Sequence, residues 1–174
     1  MKPIGLGNPD AGLIVYIGNR PPLDEFAEIS EVRSIRDGEI RRIGDQTGNH
    51  WRKIFNCYAK LAFSIDVQGE TCWQNLRDKQ LLTEGGEQLL LFSVPAFLTG
   101  SPEKPKVLGT MPIRIICGKT YFYQHATDLT IEWLDDSFAI NKQAGLIISP
   151  YFDYRQLSNR KIDKLVELIK IVRG

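Results

Sequence analysis

Gly12-Leu13-Ile14-Val15-Tyr16-Ile17-Gly18 is an unbroken β-prone apolar run closed at each end by glycine. A strand that is apolar on both faces needs cover on both, which is what a parallel sheet between two layers of helices supplies. Three later runs have the same character: Gln88 to Val94 (QLLLFSV), Ile113 to Cys117 (IRIIC) and Gly145 to Ile148 (GLII). Each stops at a breaker or turn group: Gly18 to Pro22, Pro95, Gly118 and Ser149-Pro150.

Helical patterns fill the intervals. Over Asn49 to Ile65, Trp51, Ile54, Phe55, Tyr58, Leu61 and Ala62 recur at helical spacing, with Thr47-Gly48-Asn49 as cap candidates. Thr71 to Leu82 reads as a second helix, and Thr120 to Leu134 as helical in part, with Thr127 to Ile131 open to an extended form. In the last segment Ile162, Leu165, Val166, Ile169 and Val172 form one apolar stripe that Ser158 or Asn159 can cap. Residues 100–112 hold three prolines and two glycines and read as a surface loop. Strands alternating with helices favour right-handed βαβ units. The expectation is an α/β fold, a three-layer α/β/α sandwich with a central, mainly parallel four-stranded sheet, formed by residues 1–174 as one domain.

Composition narrows the class without naming a function. At 174 residues, 43% hydrophobic and 25% charged, the chain suits one ordered globular unit. No apolar run approaches the roughly 18 residues of a membrane span, and Met1 to Pro9 lacks the pattern of a secretory signal. Cys57, Cys72 and Cys117 are unclustered and match no zinc or CxxC spacing, so reduced, partly buried thiols in a cytoplasmic protein are expected. No metal and no cofactor is indicated, and the oligomeric state is open. The net charge of +1 is unevenly spread: residues 33–60 carry seven basic and three acidic groups, a net of +4, and residues 151–174 six and three, a net of +3. These segments are either solvated helix faces or, if they meet, a modest basic patch.

In an open parallel sheet, ligands bind beyond the carboxyl ends of the strands where the strand order reverses. The loops there contain Gly18-Asn19-Arg20-Pro21, Ser93 to Phe97, Gly118-Lys119 with Thr120 to His125, and Ser149-Pro150-Tyr151 followed by Arg155, Ser158 and Asn159. Aromatic rings there can stack on a base, Arg and Lys can meet phosphate, and Arg155, Ser158 and Asn159 at a helix entrance suit an anion. The candidate ligand-binding set is therefore Gly18, Asn19, Arg20, Pro21, Gly118, Lys119, Ser149, Tyr151, Arg155, Ser158 and Asn159. No GxGxxG follows the first strand, and no Walker, GxSxG or HExxH motif is present. Gly5-Leu6-Gly7-Asn8 precedes the strand, which is the wrong side for a phosphate loop. His50 and His125 are base candidates, each with a structural alternative. Asp135-Asp136 reads as a divergent, solvated pair on a helix, and Asp24, Glu25 and Glu28 as the acidic first turn of another.

This order of elements resembles the uracil-DNA glycosylase superfamily, from about Leu13 to the end of the chain. Gly18-Asn19-Arg20-Pro21 is similar to the family's first Gly-x-Asp-Pro or Gly-x-Asn-Pro loop. Thr47-Gly48-Asn49-His50-Trp51, Val94-Pro95 and Cys117-Gly118-Lys119 are similar to its next segments, and Ile148-Ser149-Pro150 with Arg155 and Ser158-Asn159 to its last. The chain departs from the pattern where the family handles water: Arg20 stands at the acidic or amide position unless the loop shifts to Asn19. The histidine of the last motif is absent, and arginine is no general base. The resemblance thus implies a divergent or noncatalytic member that binds a nucleobase, nucleotide or nucleic acid, with Asn19, Phe92 or Phe97, and Tyr151 as pocket candidates. Two other readings stay open: a small-molecule hydrolase or transferase in which Arg20 and Lys119 grip an anion and His125 or Asp153 acts as base, and an interaction protein without a ligand.

Overall fold

The computed structural model describes residues 2–99 and 111–174, so most of the proline-rich segment 100–112 lies outside the described residues. The four apolar runs form four adjacent parallel strands: β2 (Leu13–Tyr16), β4 (Gln88–Leu91), β5 (Ile113–Cys117) and β8 (Leu146–Ser149). Their order is β4-β2-β5-β8. From β2 the chain goes first to one side and then to the other, so the order reverses between β2 and β5, as in other doubly wound sheets.

The α/β class is as expected, but the sheet is larger and mixed. Among the described residues eight strands run in the order β3 (Val32–Arg33), β1 (Gly5–Gly7), β4, β2, β5, β8, β7 (Ala139–Asn141), β6 (Glu132–Trp133). On one edge β1 (Gly5–Gly7) is antiparallel to β4, and β3 (Val32–Arg33) is parallel to β1. On the other, β7 (Ala139–Asn141) is antiparallel to β8, and β6 (Glu132–Trp133) to β7. These additions are two or three residues long, too short to show a period in sequence. The glycines of β1 allow a close approach: a Cβ on Gly5 would stand 2.1 Å from the Leu90 carbonyl oxygen.

Alternate side chains of the central strands supply two cores. Leu13, Val15, Ile17, Leu90, Ile115 and Ile147 join the larger one with α2 (Glu39–Thr47), α3 (Asn49–Ile65), α4 (Trp73–Lys79) and α6 (Asn159–Arg173). Ile14, Tyr16, Leu89, Leu91, Ile116 and Ile148 join the smaller one. Its cover is short: α5 (Lys119–His125), the 3-10 turn Ala96–Thr99 and part of the stretch leading to β6. Within α3 the predicted stripe is buried throughout, and Tyr58 carries its hydroxyl into the sheet, donating within 3.1 Å of the Leu13 and Leu89 carbonyls. The Ser158 hydroxyl caps α6 by accepting from the Lys161 N–H.

Several local expectations change. The α3 cap does fall within the expected Thr47-Gly48-Asn49 run, at Gly48, but as a glycine it supplies no side-chain cap bond where α2 turns into α3. The second predicted helix shortens to Trp73–Lys79. Asp135 and Asp136 lie in the β6–β7 connection, not on a helix; Asp135 accepts from the Ser137 and Phe138 N–H groups and pairs with Lys164. The acidic pair Asp24 and Glu25 does open a helix, α1 (Asp24–Ala27).

Candidate ligand cleft

Beyond the carboxyl ends of β2, β5 and β8, across the point where strand order reverses, lies a cleft of about 740 Å³. Gly18 and Asn19 enter it from the end of β2, Gly118 from the junction of β5 and α5, Lys119 to Tyr121 from the first turn of α5, and Ser149 to Tyr151 from the end of β8. Arg155, Gln156 and Lys161 also line it, with Asp136 and Ser137 of the β6–β7 connection, and Lys161 Nζ donates to Ser137 Oγ at 3.5 Å. Gly18 lies close under the Tyr121 ring: a Cβ on it would stand 3.0 Å from Cδ2, so the ring would have to give by a few tenths of an ångström.

The floor is a set of buried hydrogen-bonding groups. Ser149 is fully buried, and its hydroxyl donates to the Pro150 carbonyl at 2.9 Å. The Gly118 N–H donates to the Ser149 carbonyl at 2.8 Å, tying the two strand ends together. Tyr151 donates its hydroxyl to Asn19 Oδ1 at 2.8 Å, and the Tyr151 hydroxyl oxygen lies 2.9 Å from His50 Nε2. Tyr121 is 8% exposed, and its hydroxyl has no hydrogen-bond partner among the described residues. Burial pushes the phenols of Tyr121 and Tyr151 up to about 12 and the Cys117 thiol well above its ordinary value. These groups therefore stay protonated at neutral pH, suited to donating hydrogen bonds.

The mouth is cationic and aromatic. Lys119 Nζ lies 4.5 Å from the Trp133 ring centroid, and Tyr123 stacks on the other partner of that pair at 6.1 Å and 24°. Tyr154 is flanked by Lys53 Nζ at 4.9 Å and Arg155 Cζ at 5.8 Å from its centroid. Tyr123 and Tyr154 are 61% and 53% exposed, so both rings face solvent.

Of the residues expected from sequence, Gly18, Asn19, Gly118, Lys119, Ser149, Tyr151 and Arg155 meet at this cleft. Arg20, Pro21, Ser158 and Asn159 are not among its lining. Arg20 turns to the end of α1, where Nη1 donates to the Phe26, Ala27 and Ile29 carbonyls at 2.9, 3.1 and 3.1 Å. Its guanidinium sits 5.9 Å from the Phe92 centroid, so Arg20 and Lys119 do not share a ligand space. Pro21 is buried, Ser158 caps α6, and Asn159 accepts from Lys60. Phe92 packs edge-on against Trp51, and Phe97 against Tyr16 on the opposite side of the sheet. His125 packs against the Tyr121 ring, and Asp153 pairs with Lys53. Sequence reasoning reached Lys161 only as a phosphate contact beside Arg155 and Arg160, and left Asp136, Ser137 and the role of Tyr121 out of the site. Lys161 is signalled by its place in the first turn of α6. Asp136 and Ser137 arrive through a hairpin with no local signal.

Doubly wound α/β sheets with a polar cleft at the switch point of their parallel strands form one architectural class. Within that class the chain belongs to a family of unknown function, DUF6942, whose model matches residues 4–170. Neither curated proteins nor solved structures give a match. Among the described residues no helix is long and apolar enough to cross a membrane, and no group of His, Cys, Asp and Glu is arranged to hold a metal ion.

Proposed function

We propose that the cleft binds one nucleotide unit of a nucleic acid, with the base inside and the neighbouring strand on the rim. The observation that carries this reading is the pair of exposed aromatic–cation clusters at the mouth, Lys119–Trp133–Tyr123 and Lys53–Tyr154–Arg155. Rings exposed beside fixed cations offer stacking faces for bases and charge for phosphates, the combination that single-strand binders use. Inside, Asn19 and the Tyr121 hydroxyl offer hydrogen bonds for a base edge. The resemblance to the uracil-DNA glycosylase superfamily belongs to the same proposal, as a divergent member that binds without relying on the family's water-handling groups. The order β4-β2-β5-β8 and the meeting of the end-of-strand loops support it; Arg20, turned to α1, offers no substitute base.

Fluorescence anisotropy with labelled single-stranded DNA and RNA tests the reading. Binding should be measurable at about 50 mM salt and fall steeply as salt rises, because phosphate contacts release counterions. A Lys119→Ala, Arg155→Ala variant that retains its thermal stability should bind markedly less. No binding of either polymer at low salt overturns the proposal.

A further inference from the structure

The amino ends of the same parallel strands border a second cavity, of about 290 Å³, that shares no lining residue with the cleft. Leu13 and Gln88, register partners at the start of β2 and β4, line it from the sheet. Ala62, Ile65 and Asp66 line it from the end of α3, and Arg173 from the end of α6.

Gln88 is the residue that packing does not explain. It opens a strand that otherwise reads Leu-Leu-Leu, and it is 2% exposed. Leu90, two residues on, points into the larger core, so Gln88 faces the same side of the sheet, toward the helix ends. Its Oε1 is shielded from solvent and accepts no hydrogen bond from any described residue. Folded chains mostly avoid a shielded acceptor without a donor. A ligand that brings its own N–H into the cavity supplies one.

The surroundings specify the charge of that ligand. Asp66 and Glu87 line the cavity with exposed carboxylates, and neither forms an ion pair with a described residue. Asp66 Oδ1 accepts from the Gln68 N–H at 2.9 Å, and its Oδ2 has no bond to a described residue. The helices α3 and α6, seventeen and fifteen residues long, both end here. The carboxyl end of a helix carries partial negative charge, which favours a cation. Arg173 is the one basic side chain of the lining, and it pairs with neither carboxylate. Leu13, Ala62 and Ile65 add an apolar wall.

We propose that this cavity binds an ammonium or guanidinium group carried on a short hydrocarbon chain. An N–H of the ligand donates to Gln88 Oε1, its charge faces Asp66 and Glu87, and its chain lies on Leu13, Ala62 and Ile65. The site goes beyond the nucleotide reading of the cleft and does not depend on it. The competing arrangement is a Gln88 carboxamide rotated by half a turn, with Nε2 shielded in place of Oε1. The cavity would then favour an anion drawn by Arg173.

Probes of similar size separate these contributions. n-Butylammonium carries charge and N–H donors, butyltrimethylammonium carries charge alone, 1-butanol is a neutral donor, and pentanoate has the opposite charge. Titrations are followed by the Gln88 side-chain amide and Ala62 methyl resonances. n-Butylammonium should saturate at millimolar concentration and bind about tenfold or more tightly than each of the others, because only it makes a charge-assisted hydrogen bond in the shielded site. Gln88→Leu should lower its affinity about tenfold, to the level of butyltrimethylammonium, while the unfolding temperature holds or rises. Asp66→Asn and Glu87→Gln, at exposed positions, should each weaken both cations and keep their ratio, and Arg173→Ala should strengthen both. The absence of a saturable shift with n-butylammonium overturns the proposal, as do equal binding of butyltrimethylammonium and preference for pentanoate. Wild-type affinity in Gln88→Leu overturns it too. If that variant does not fold, wild-type affinity in the Asp66→Asn, Glu87→Gln double variant has the same force.

Discussion

Tyr121 and Arg20 show how differently two polar groups beside the same strand end are treated. The Tyr121 hydroxyl is shielded from solvent without a partner in the chain, a condition that folded proteins mostly avoid. A ligand or an ordered water in the cleft would satisfy it. Tyr121→Phe should therefore leave the free protein as stable or up to about 1 kcal/mol more stable in urea unfolding, while uridine monophosphate binds several-fold more weakly. A large loss of stability would mean that the hydroxyl serves the fold. Arg20 is the converse case, with three carbonyls bound by one guanidinium nitrogen at the carboxyl end of α1. Charged hydrogen bonds of this kind are worth about 1–3 kcal/mol. Arg20→Ala should destabilise the protein by an amount in that range and leave nucleotide affinity unchanged. Nothing in Gly18-Asn19-Arg20-Pro21 itself reveals which of the two polar side chains turns inward, since that depends on carbonyls six to nine residues further on.

At the scale of elements, α2 is anchored by a charge network at its first residue. Glu39 is 8% exposed, accepts from Arg33 at 3.0 and 2.7 Å and from the Arg36 N–H at 3.0 Å, and meets Arg42 at 3.2 Å. Burial alone would raise its carboxyl, but the bonds from Arg33 and Arg36 outweigh it and hold the carboxyl below the ordinary 4.5. A depressed folded value means that the stabilisation is present above pH 4.5 and is lost as pH falls through the folded value. Glu39→Gln should accordingly cost about 1–3 kcal/mol at pH 7 and flatten the acid limb of the stability–pH curve. Equal slopes below pH 4.5 for the two proteins would show that Glu39 is not the group responsible. The elements that were legible in sequence are those whose burial leaves a period or a run. Leu13–Tyr16 is apolar on both faces, Ile113–Cys117 is apolar apart from Arg114, and the stripes of α3 and α6 repeat for about three turns. β1 was hidden because Gly5 and Gly7 are there for close approach, not for packing. β6 and β7 have two and three residues, and their pairing to β8 follows from the sheet edge they find. The loops of the cleft were readable through the carboxyl-end rule, whereas Asp136 and Ser137 reach it only by way of that unreadable hairpin.

For the whole molecule, the asymmetry of the two layers explains where a ligand can enter. Among the described residues four helices bury the larger face, and the smaller one is covered by the seven-residue α5, the 3-10 turn and irregular chain. The aromatic side chains of that thin layer, Tyr123 and Trp133, consequently reach the surface beside the cleft instead of being sealed beneath a long helix. The basic segments read from sequence approach each other at Tyr154, whose ring centroid lies 4.9 Å from Lys53 Nζ of α3 and 5.8 Å from Arg155 Cζ ahead of α6. Stacking and charge make separable contributions to strand binding, so the two kinds of side chain should give different signatures in anisotropy titrations across salt. Lys119→Ala and Arg155→Ala should each lower the slope of log affinity against log salt by about 0.7 for a single strand. Tyr123→Ala and Tyr154→Ala should instead weaken binding by about 1–3 kcal/mol with the slope preserved. Both tyrosines are more than half exposed, so their removal should scarcely alter the unfolding temperature. Wild-type affinity in both tyrosine variants would reduce the rim to a purely electrostatic surface and remove the stacking half of the proposal.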